Sequence, residues 1–347
     1  MSSVEWGGHA ATIIGSAMPE QSPLVAEPIA DDPWGEDEVW CLVRAAAAHA
    51  RALEAQGASV AFDLDGHGAL RAQPAGSPDV PLSWAPDSGW ASTLPVEDPR
   101  RALLDLYLPV CGATPARPIT VGHLGQSLDG FIATHTGDSR FVTGEQNIVH
   151  LHRMRALCDV VIVGAGTVVA DDPQLTTRLV TGASPLRVVI DPTRRLSPDY
   201  QVFRDGAAPT WYVCEASRVG PQETHHGEAT VVGLGEGPSG VDLADLVSRL
   251  RDRGCARIFV EGGGVTVSAF LEAGLLDRLQ MAIAPFFIGD GRPAIRLPGP
   301  DALRDCVRPR YRVFRMGTDV LFDVDFSGPD RPGEEPTSDR PPVTRVI

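Results

Sequence analysis

The stretch that decides the fold is VVIVGAGTVVADDPQLTTR, Val160–Arg178. Four branched apolar residues precede Gly164-Ala165-Gly166, as they do where a buried strand enters a dinucleotide-binding loop. The third glycine of a G-x-G-x-x-G motif would fall at Val169, whose side chain would crowd the helix–strand contact that glycine allows. Two aspartates and a proline follow instead. The stretch is therefore either a degraded dinucleotide-binding loop or a motif of another kind.

Composition and charge narrow the class of protein. Thirty basic and forty-five acidic residues give a net charge of -15, which argues against nucleic acid as a partner and favours an acidic enzyme or interaction protein. A small anion held by a few local arginines stays possible. The six cysteines form no C-x-x-C pair and the histidines form no H-E-x-x-H motif, so no metal site is predicted. We expect no membrane span, no signal peptide and a cytoplasmic location.

The chain divides into a small leading unit, a main domain and a tail. Residues 1–117 predict a small α+β region of unrecognised role, with residues 1–34 loosely ordered. Within it we expect a helix over Glu36–Gly57, strands around a D-G turn, and a short helix in Arg101–Val110. Residues 118–326 form the main domain. The charged, proline-rich tail, residues 327–347, is expected to be disordered.

Strands and helices alternate through the main domain, which predicts an α/β fold with a mostly parallel sheet covered by helices on both faces. A closing antiparallel hairpin is expected across Gly317–Thr318. Ligands of such sheets bind beyond the carboxyl ends of the strands. That rule draws four segments together: Ser127–Asp129, Gly164–Asp172, Asp191–Arg195 and Glu261–Gly264.

The segment VEGGGVTVSAF is the strongest local signal for a ligand. A buried strand ends at Glu261, and three glycines then lead into a helix whose positive N-terminus would suit a pyrophosphate. An ordinary tight turn between strand and helix explains the pattern equally well.

Two arginines are candidates for binding an anion. Arg155 shares the predicted core-facing stripe of its helix with Ile148, so it needs a partner or a ligand unless it only neutralises the helix C-terminus. Arg178 follows the acidic ADDP turn and could bind a phosphate, or it is a surface cation. Asp171 and Asp172 have an alternative interpretation as turn residues before Pro173.

Four segments, taken together and in order, resemble a known family. They are LGQSLDGFIATHTGDSRFVTG, GAGTVVADDPQLTTR, LRVVIDP and VEGGGVTVSAFLEAGLLDRLQMAIAPFFIG. This pattern is similar to the pyrimidine reductases of riboflavin biosynthesis, the RibD C-terminal family, over about residues 118–326. The resemblance implies a dihydrofolate reductase-like fold and a homodimer. It also implies NADPH-dependent reduction of the ribosylamino side chain of a pyrimidine 5′-phosphate.

The resemblance also assigns site residues. It implies substrate contacts at Ser139, Arg155, Leu175, Arg178 and Glu261. It implies cofactor contacts at Gly125, Phe141, Thr167, Asp171, Gly263, Gly264, Val265, Thr266, Val267, Ser268 and Ala269. Glu261 and Asp171 are both candidates for the catalytic proton donor, and water is a third.

Two departures from the family keep other functions open. Phe131 stands where many relatives carry Lys or Arg after S-L-D-G, which suits a reductase recruited to another substrate. Residues 1–117 lack the H-x-E and P-C-x-x-C motifs of the zinc deaminase that precedes the reductase in bifunctional relatives. A catalytically silent nucleotide-binding protein is the remaining alternative. Arg194 and Arg195 could bind the 2′-phosphate of NADPH or be loop cations.

Overall fold

The computed structural model describes residues 36–64, 70–74, 80–140 and 142–328. The expectation for residues 1–34 lies outside this range, as does the expectation for the tail beyond Gly328.

The leading unit contains two helices and a small sheet, which confirms its predicted α+β character. The helices are α1 (Glu36–Gln56) and α2 (Pro99–Cys111). The strands are β1 (Val60–Leu64), β2 (Leu70–Gln73), β3 (Leu82–Ala85) and β4 (Gly89–Ser92), antiparallel in the order β2-β1-β3-β4. The sequence analysis missed β3 and β4 because proline, serine and glycine dominate that segment. The rings of Trp84 and Trp90 pack edge to face at 5.3 Å and bury this part of the sheet.

The main sheet has ten strands within the described residues, in the order β10-β11-β9-β8-β7-β12-β5-β13-β16-β15. Its parallel core comprises β5 (Ile119–Ser127), β7 (Val160–Gly164), β8 (Leu186–Ile190), β9 (Thr210–Glu215), β11 (Ala229–Leu234), β12 (Arg257–Val260) and β13 (Arg278–Ala284). The hairpin of β15 (Arg310–Met316) and β16 (Asp319–Asp325) closes one edge and confirms the prediction. The short β10 (His225–His226) at the other edge was not predicted.

Helices cover both faces of this sheet, as expected. They are α3 (Glu145–Leu157), α4 (Ala165–Asp171), α5 (Gln201–Arg204), α6 (Leu243–Asp252) and α7 (Gly264–Glu272). Strand β7 is buried on both faces: Val161 and Val163 join one apolar core, while Val160 and Ile162 join the other. A separate ribbon pairs β6 (Phe131–Thr134) with β14 (Gly291–Pro293).

The strand order explains which predicted segments meet. Strands β7 and β12 are neighbours, with Ile162 opposite Val260, so the turns after them lie side by side. The Ser127–Asp129 turn instead secures the loop after β13, because the Asp129 carboxylate accepts hydrogen bonds from the amides of Ile288 and Gly289.

Asp191 does not offer its carboxylate to a ligand. It is buried and accepts hydrogen bonds from the Leu196 amide and the Tyr212 hydroxyl, so it holds its own loop. Of the four segments that were expected to lie together, the structure thus brings together the two that follow β7 and β12.

Candidate active site

The Val160–Arg178 stretch begins with a strand that passes directly into a helix. Strand β7 ends at Gly164 and α4 begins at Ala165, where the sequence analysis expected a loop. A Cβ atom at Gly164 would overlap the hydroxyl of Thr266 on α7, so this glycine allows the close approach of a helix to the strand end. Val169 is 55% exposed, so its side chain lies largely in solvent and this position does not require a third glycine.

The glycine turn after β12 is joined to α4 through Thr167. Gly262 adopts a φ of 108°, and a Cβ there would lie 2.6 Å from Thr167 Oγ1. The same hydroxyl accepts a hydrogen bond of 3.0 Å from the Gly263 amide. Helix α7 then begins at Gly264 without a side-chain cap, and Val265 in its first turn is 85% exposed. The exposed Val265 thus places the positive end of this helix at the surface, where an anion is favoured.

The later part of this helix turns inward. Val267 is buried in the core, and buried Ser268 accepts a hydrogen bond from the Arg296 amide. Ala269 packs against the same core. Of the run Gly263–Ala269 that the resemblance gives to the cofactor, Val265 is exposed and Gly263 and Thr266 are half-buried, whereas Gly264 is buried.

A buried ion pair lies beside this turn. The Arg155 Nε donates to Glu261 Oε2 at 2.9 Å, and its Nη2 donates to Oε1. Its Nη1 donates to the Thr176 carbonyl at 3.3 Å. The expected need for a partner is met by Glu261. The stripe used to predict it was wrong, because Ile148 is 38% exposed while Arg155 is buried.

Arg178 lies on the same wall and is only partly engaged. Its Nη1 donates to Gln174 Oε1 at 3.0 Å and to Thr176 Oγ1 at 3.1 Å. Its backbone amide donates to Nδ1 of His152, one helical turn before Arg155. Partial burial, and then the nearby Arg155 guanidinium, lower the pKa of Arg178. Burial, together with these two cations, lowers the pKa of His152 to about 4, so the imidazole is neutral and can accept this bond.

Both arginines line one cavity of about 390 Å³. Its walls comprise Arg155, Asp171, Asp172, Pro173, Gln174, Leu175, Arg178 and Gln201. The loop that forms them is held under strain, because buried Leu175 adopts a φ of 57°, a left-handed conformation that costs a branched residue energy. Buried Arg187 stabilises this loop by donating to the Gln174 carbonyl at 3.0 Å.

Asp171 is one of the two carboxyl groups that line the cavity. Although its side chain is exposed, loss of water around the carboxyl raises its pKa, and a hydrogen bond from Ser139 opposes that rise. The Ser139 Oγ lies 3.3 Å from Asp171 Oδ1, which brings the two predicted residues together. An acid with a raised pKa, in a cavity, is the type of group that general acid catalysis uses.

Other predicted residues have different surroundings. Gly125 lies on β5 against Thr143, whose methyl group a Cβ would approach to 2.7 Å. Phe141 lies outside the described residues. Arg194 is held by both carboxylate oxygens of Glu223, at 2.6 and 2.5 Å, while Arg195 is 61% exposed at its side chain. Of the two, Arg195 is thus the cation accessible to a ligand.

Several cavity residues escaped the sequence analysis. Gln174 and Gln201 line the cavity, and Arg187 and His152 secure its loop. One signal was available for His152, since it lies three residues before Arg155 on the same helix and therefore shares its face. Nothing in the local pattern distinguishes Arg187 from other strand residues.

Two features are absent from the described residues. No three His, Cys, Asp or Glu side chains there lie together as metal ligands would. Among the same residues, no helix has both the length and the apolarity that crossing a bilayer requires.

The fold defines the class: an α/β reductase-type domain whose mostly parallel sheet ends in an antiparallel hairpin. Comparison with known proteins then identifies the family. The model of the RibD C-terminal domain matches residues 119–319, and the chain belongs to that family.

Named relatives share this region. The chain is 34% identical over 223 residues to the 2,5-diamino-6-ribosylamino-4(3H)-pyrimidinone 5′-phosphate reductase of Methanothermobacter thermautotrophicus, covering 61% of this chain and 100% of that one. It is 35% identical over 213 residues to the riboflavin biosynthesis protein RibD of Bacillus amyloliquefaciens, covering 60% of this chain and 56% of the relative. The chain therefore spans little more than half of that longer protein.

A solved structure agrees. It is a diaminohydroxyphosphoribosylaminopyrimidine deaminase/5-amino-6-(5-phosphoribosylamino)uracil reductase from Thermotoga maritima. It superposes with a TM-score of 0.50 and 25% identity, covering 65% of this chain and 60% of that one.

Proposed function

We propose that this chain is an NADPH-dependent reductase that converts the ribosylamino side chain of a pyrimidine 5′-phosphate into a ribitylamino chain. The observation that carries the proposal is that Arg155 and Arg178 line one cavity, and that Arg155 binds Glu261, the residue directly before the glycine turn that leads into α7. The names of the relatives support the substrate class, because they specify a phosphorylated ribosylaminopyrimidine.

The residues present fit a nicotinamide dinucleotide. At Gly262 and Gly263 a Cβ atom would approach Thr167, so glycine keeps this turn open. The start of α7, which has no side-chain cap, suits a pyrophosphate. When bound there, the nicotinamide supplies the hydride. Arg195 is the exposed cation for the 2′-phosphate that distinguishes NADPH from NADH, since Glu223 occupies Arg194.

In this proposal the two arginines have different roles. Arg178 has donors that are not committed to a carboxylate, so it binds the phosphate of the sugar arm. Arg155 is fixed by Glu261 and lines the cavity beside it, adding positive charge without freedom to move. The pair thereby orients the sugar so that its first carbon faces the cofactor.

Asp171 is the better-placed proton donor. The two oxygens of Glu261 already accept hydrogen bonds from Arg155, whereas Asp171 opens to the cavity and has a raised pKa. In the closed sugar its proton would go to the ring oxygen as the bond between that oxygen and the first carbon breaks and the carbon accepts the hydride. In the opened sugar the proton would go to the imine nitrogen as the carbon of the C=N bond accepts the hydride. Ser139 orients the carboxyl.

The test is a turnover assay on the purified chain. NADPH oxidation is followed by absorbance with the diaminopyrimidinone or the aminouracil ribosyl 5′-phosphate, and the ribitylamino product is identified by mass spectrometry. Stoichiometric product from either substrate supports the proposal. NADPH binding without turnover of either contradicts it and favours a silent nucleotide-binding protein.

A reductase recruited to another substrate is the second candidate. Phe131, half-buried on β6 against β14, removes the cation that many relatives carry at this position. Turnover only of an unphosphorylated or non-pyrimidine substrate would favour this candidate.

We further expect a cytoplasmic homodimer, and a monomeric mass by light scattering would refute the dimer.

A further inference from the structure

The leading unit outside the family match contacts both segments that carry the cavity's arginines. Trp40 on α1 donates from Nε1 to the Thr181 carbonyl at 2.9 Å, three residues after Arg178. Tyr107 on α2 places its hydroxyl 2.7 Å from His150 Nδ1 on α3, the helix of Arg155.

Strand β12, which leads to Glu261, is anchored to the same unit. Its first residue, Arg257, donates to the carbonyls of Ala47, Val110, Cys111 and Ala113 at 2.7 to 3.2 Å. The Arg153 guanidinium of α3 lies 5.6 Å from the Trp40 ring centre and 5.9 Å from that of Tyr107. Apolar residues of both units also share one core.

The contact between Tyr107 and His150 is buried and directional. The His150 ring is buried, and its Nε2 lies 2.9 Å from Gln280 Oε1, an acceptor, so Nε2 carries the proton. Nδ1 therefore accepts from Tyr107, which fixes the rotation of α3 about its axis. A rotation of α3 would move Arg155 away from Glu261.

We propose that the leading unit is a positioning domain for the anion-binding wall of the cavity, acting through Trp40 on the Arg178 segment and through Tyr107 on α3. This inference rests on the proposed function for the identity of the phosphate. Both residues are positioning residues, since neither lines the cavity. Without them the two guanidinium groups still exist but sample more than one separation, so binding weakens while the chemical step is preserved.

The test compares Trp40→Phe and Tyr107→Phe with wild type. Each variant loses one hydrogen-bond donor. Tyr107→Phe keeps its ring, whereas Trp40→Phe replaces a buried indole with a smaller phenyl ring. Trp90→Phe is the matched control, because Trp90 lies in the core of the same unit and its indole N–H has no partner within the described residues. Circular dichroism and thermal unfolding establish that all three variants are folded.

Loss of one hydrogen bond predicts a roughly 3- to 10-fold rise in KM for the pyrimidine phosphate in Trp40→Phe and Tyr107→Phe. The kcat, the KM for NADPH and all constants of Trp90→Phe should stay at wild-type values. A uniform loss of kcat, or equal effects in Trp90→Phe, would indicate a general role in folding and overturn the proposal.

Binding of ribose 5-phosphate, measured by calorimetry, separates this inference from the proposed function. If wild type reduces neither pyrimidine, the function fails, and weaker ribose 5-phosphate binding by the two variants alone still supports positioning. Wild-type affinity in both variants, or no binding by wild type, overturns the inference.

Discussion

Glu261 and Arg155, 106 residues apart in the chain, form a buried ion pair in which both carboxylate oxygens accept hydrogen bonds from one guanidinium. A bidentate pair of this kind fixes the plane of the arginine. It joins the end of β12, where the glycine turn begins, to the helix that faces the cavity. This contact therefore links the two predicted ligand sites directly.

Glu261→Gln removes the negative charge while conserving the shape of the side chain. Leaving buried Arg155 without a counter-charge should lower the free energy of unfolding by about 3–5 kcal/mol. Urea denaturation followed by circular dichroism measures this. Glu215→Gln, which disrupts the exposed pair with Arg218, is the control and should change stability little. Equal stability of Glu261→Gln and wild type would contradict the role of the pair.

Asp171→Asn tests the proton donor. The amide cannot donate its proton in the same way, so kcat should fall by about 10²- to 10⁴-fold with little change in KM for the substrate. In wild type the acid must be protonated, so kcat should decline as the pH rises through its pKa, and this limb should disappear in the variant. Asp199→Asn, at an exposed turn, is the control. Retained kcat with an unchanged pH profile would assign the proton to water or to Glu261.

Gly264→Ala tests the start of α7. A Cβ at Gly264 would overlap the carbonyl oxygens of Ala294 and Pro293, so the helix start must shift and the cofactor should bind more weakly. Gly235→Ala is the control, since nothing lies within 4 Å of a Cβ there. Fluorescence titration with NADPH measures both. If Gly264→Ala bound NADPH as tightly as wild type does, the cofactor would not bind at the start of α7.

Buried His150 predicts a loss of stability in mild acid. Burial lowers its pKa from 6.5 to about 3, so between these values the unfolded chain takes up a proton that the folded chain does not. Lowering the pH to 5 should therefore destabilise the fold by about 2 kcal/mol through this residue. In His150→Gln the slope of stability against pH should be shallower, whereas exposed His49→Gln should keep the wild-type slope. A variant slope equal to wild type would show that His150 is protonated in the fold.

Structural features that depend on residues close together in the sequence could be predicted from it. Asp242, a residue type that favours helix N-caps, directly precedes α6, and its side chain accepts a hydrogen bond from the Asp245 amide at 3.0 Å. The alternation of strands and helices gave the parallel core, because β7 and its neighbours are apolar on both faces. Strands β3 and β4 were missed because their stability comes from Trp84 and Trp90 packing together, which composition does not reveal.

The site was predictable only where a family resemblance or a local rule applied. The pairing of Arg155 with Glu261 has no local signal, and the stripe that pointed to it included exposed Ile148. Arg194 and Arg195 look equivalent in the sequence, and only the folded chain shows that the Arg194 guanidinium is paired with the Glu223 carboxylate. Such choices depend on partners distant in sequence.

The most direct test of the central claim is a two-by-two comparison of Arg178→Ala and wild type, each with the phosphorylated substrate and its dephosphorylated nucleoside. If Arg178 binds the phosphate, removing that phosphate should raise KM roughly 10- to 100-fold in wild type and much less in the variant. Arg195→Gln should respond to phosphate removal as wild type does. An equal penalty in wild type and Arg178→Ala would mean that the phosphate lies elsewhere, and the account of the cavity would be wrong.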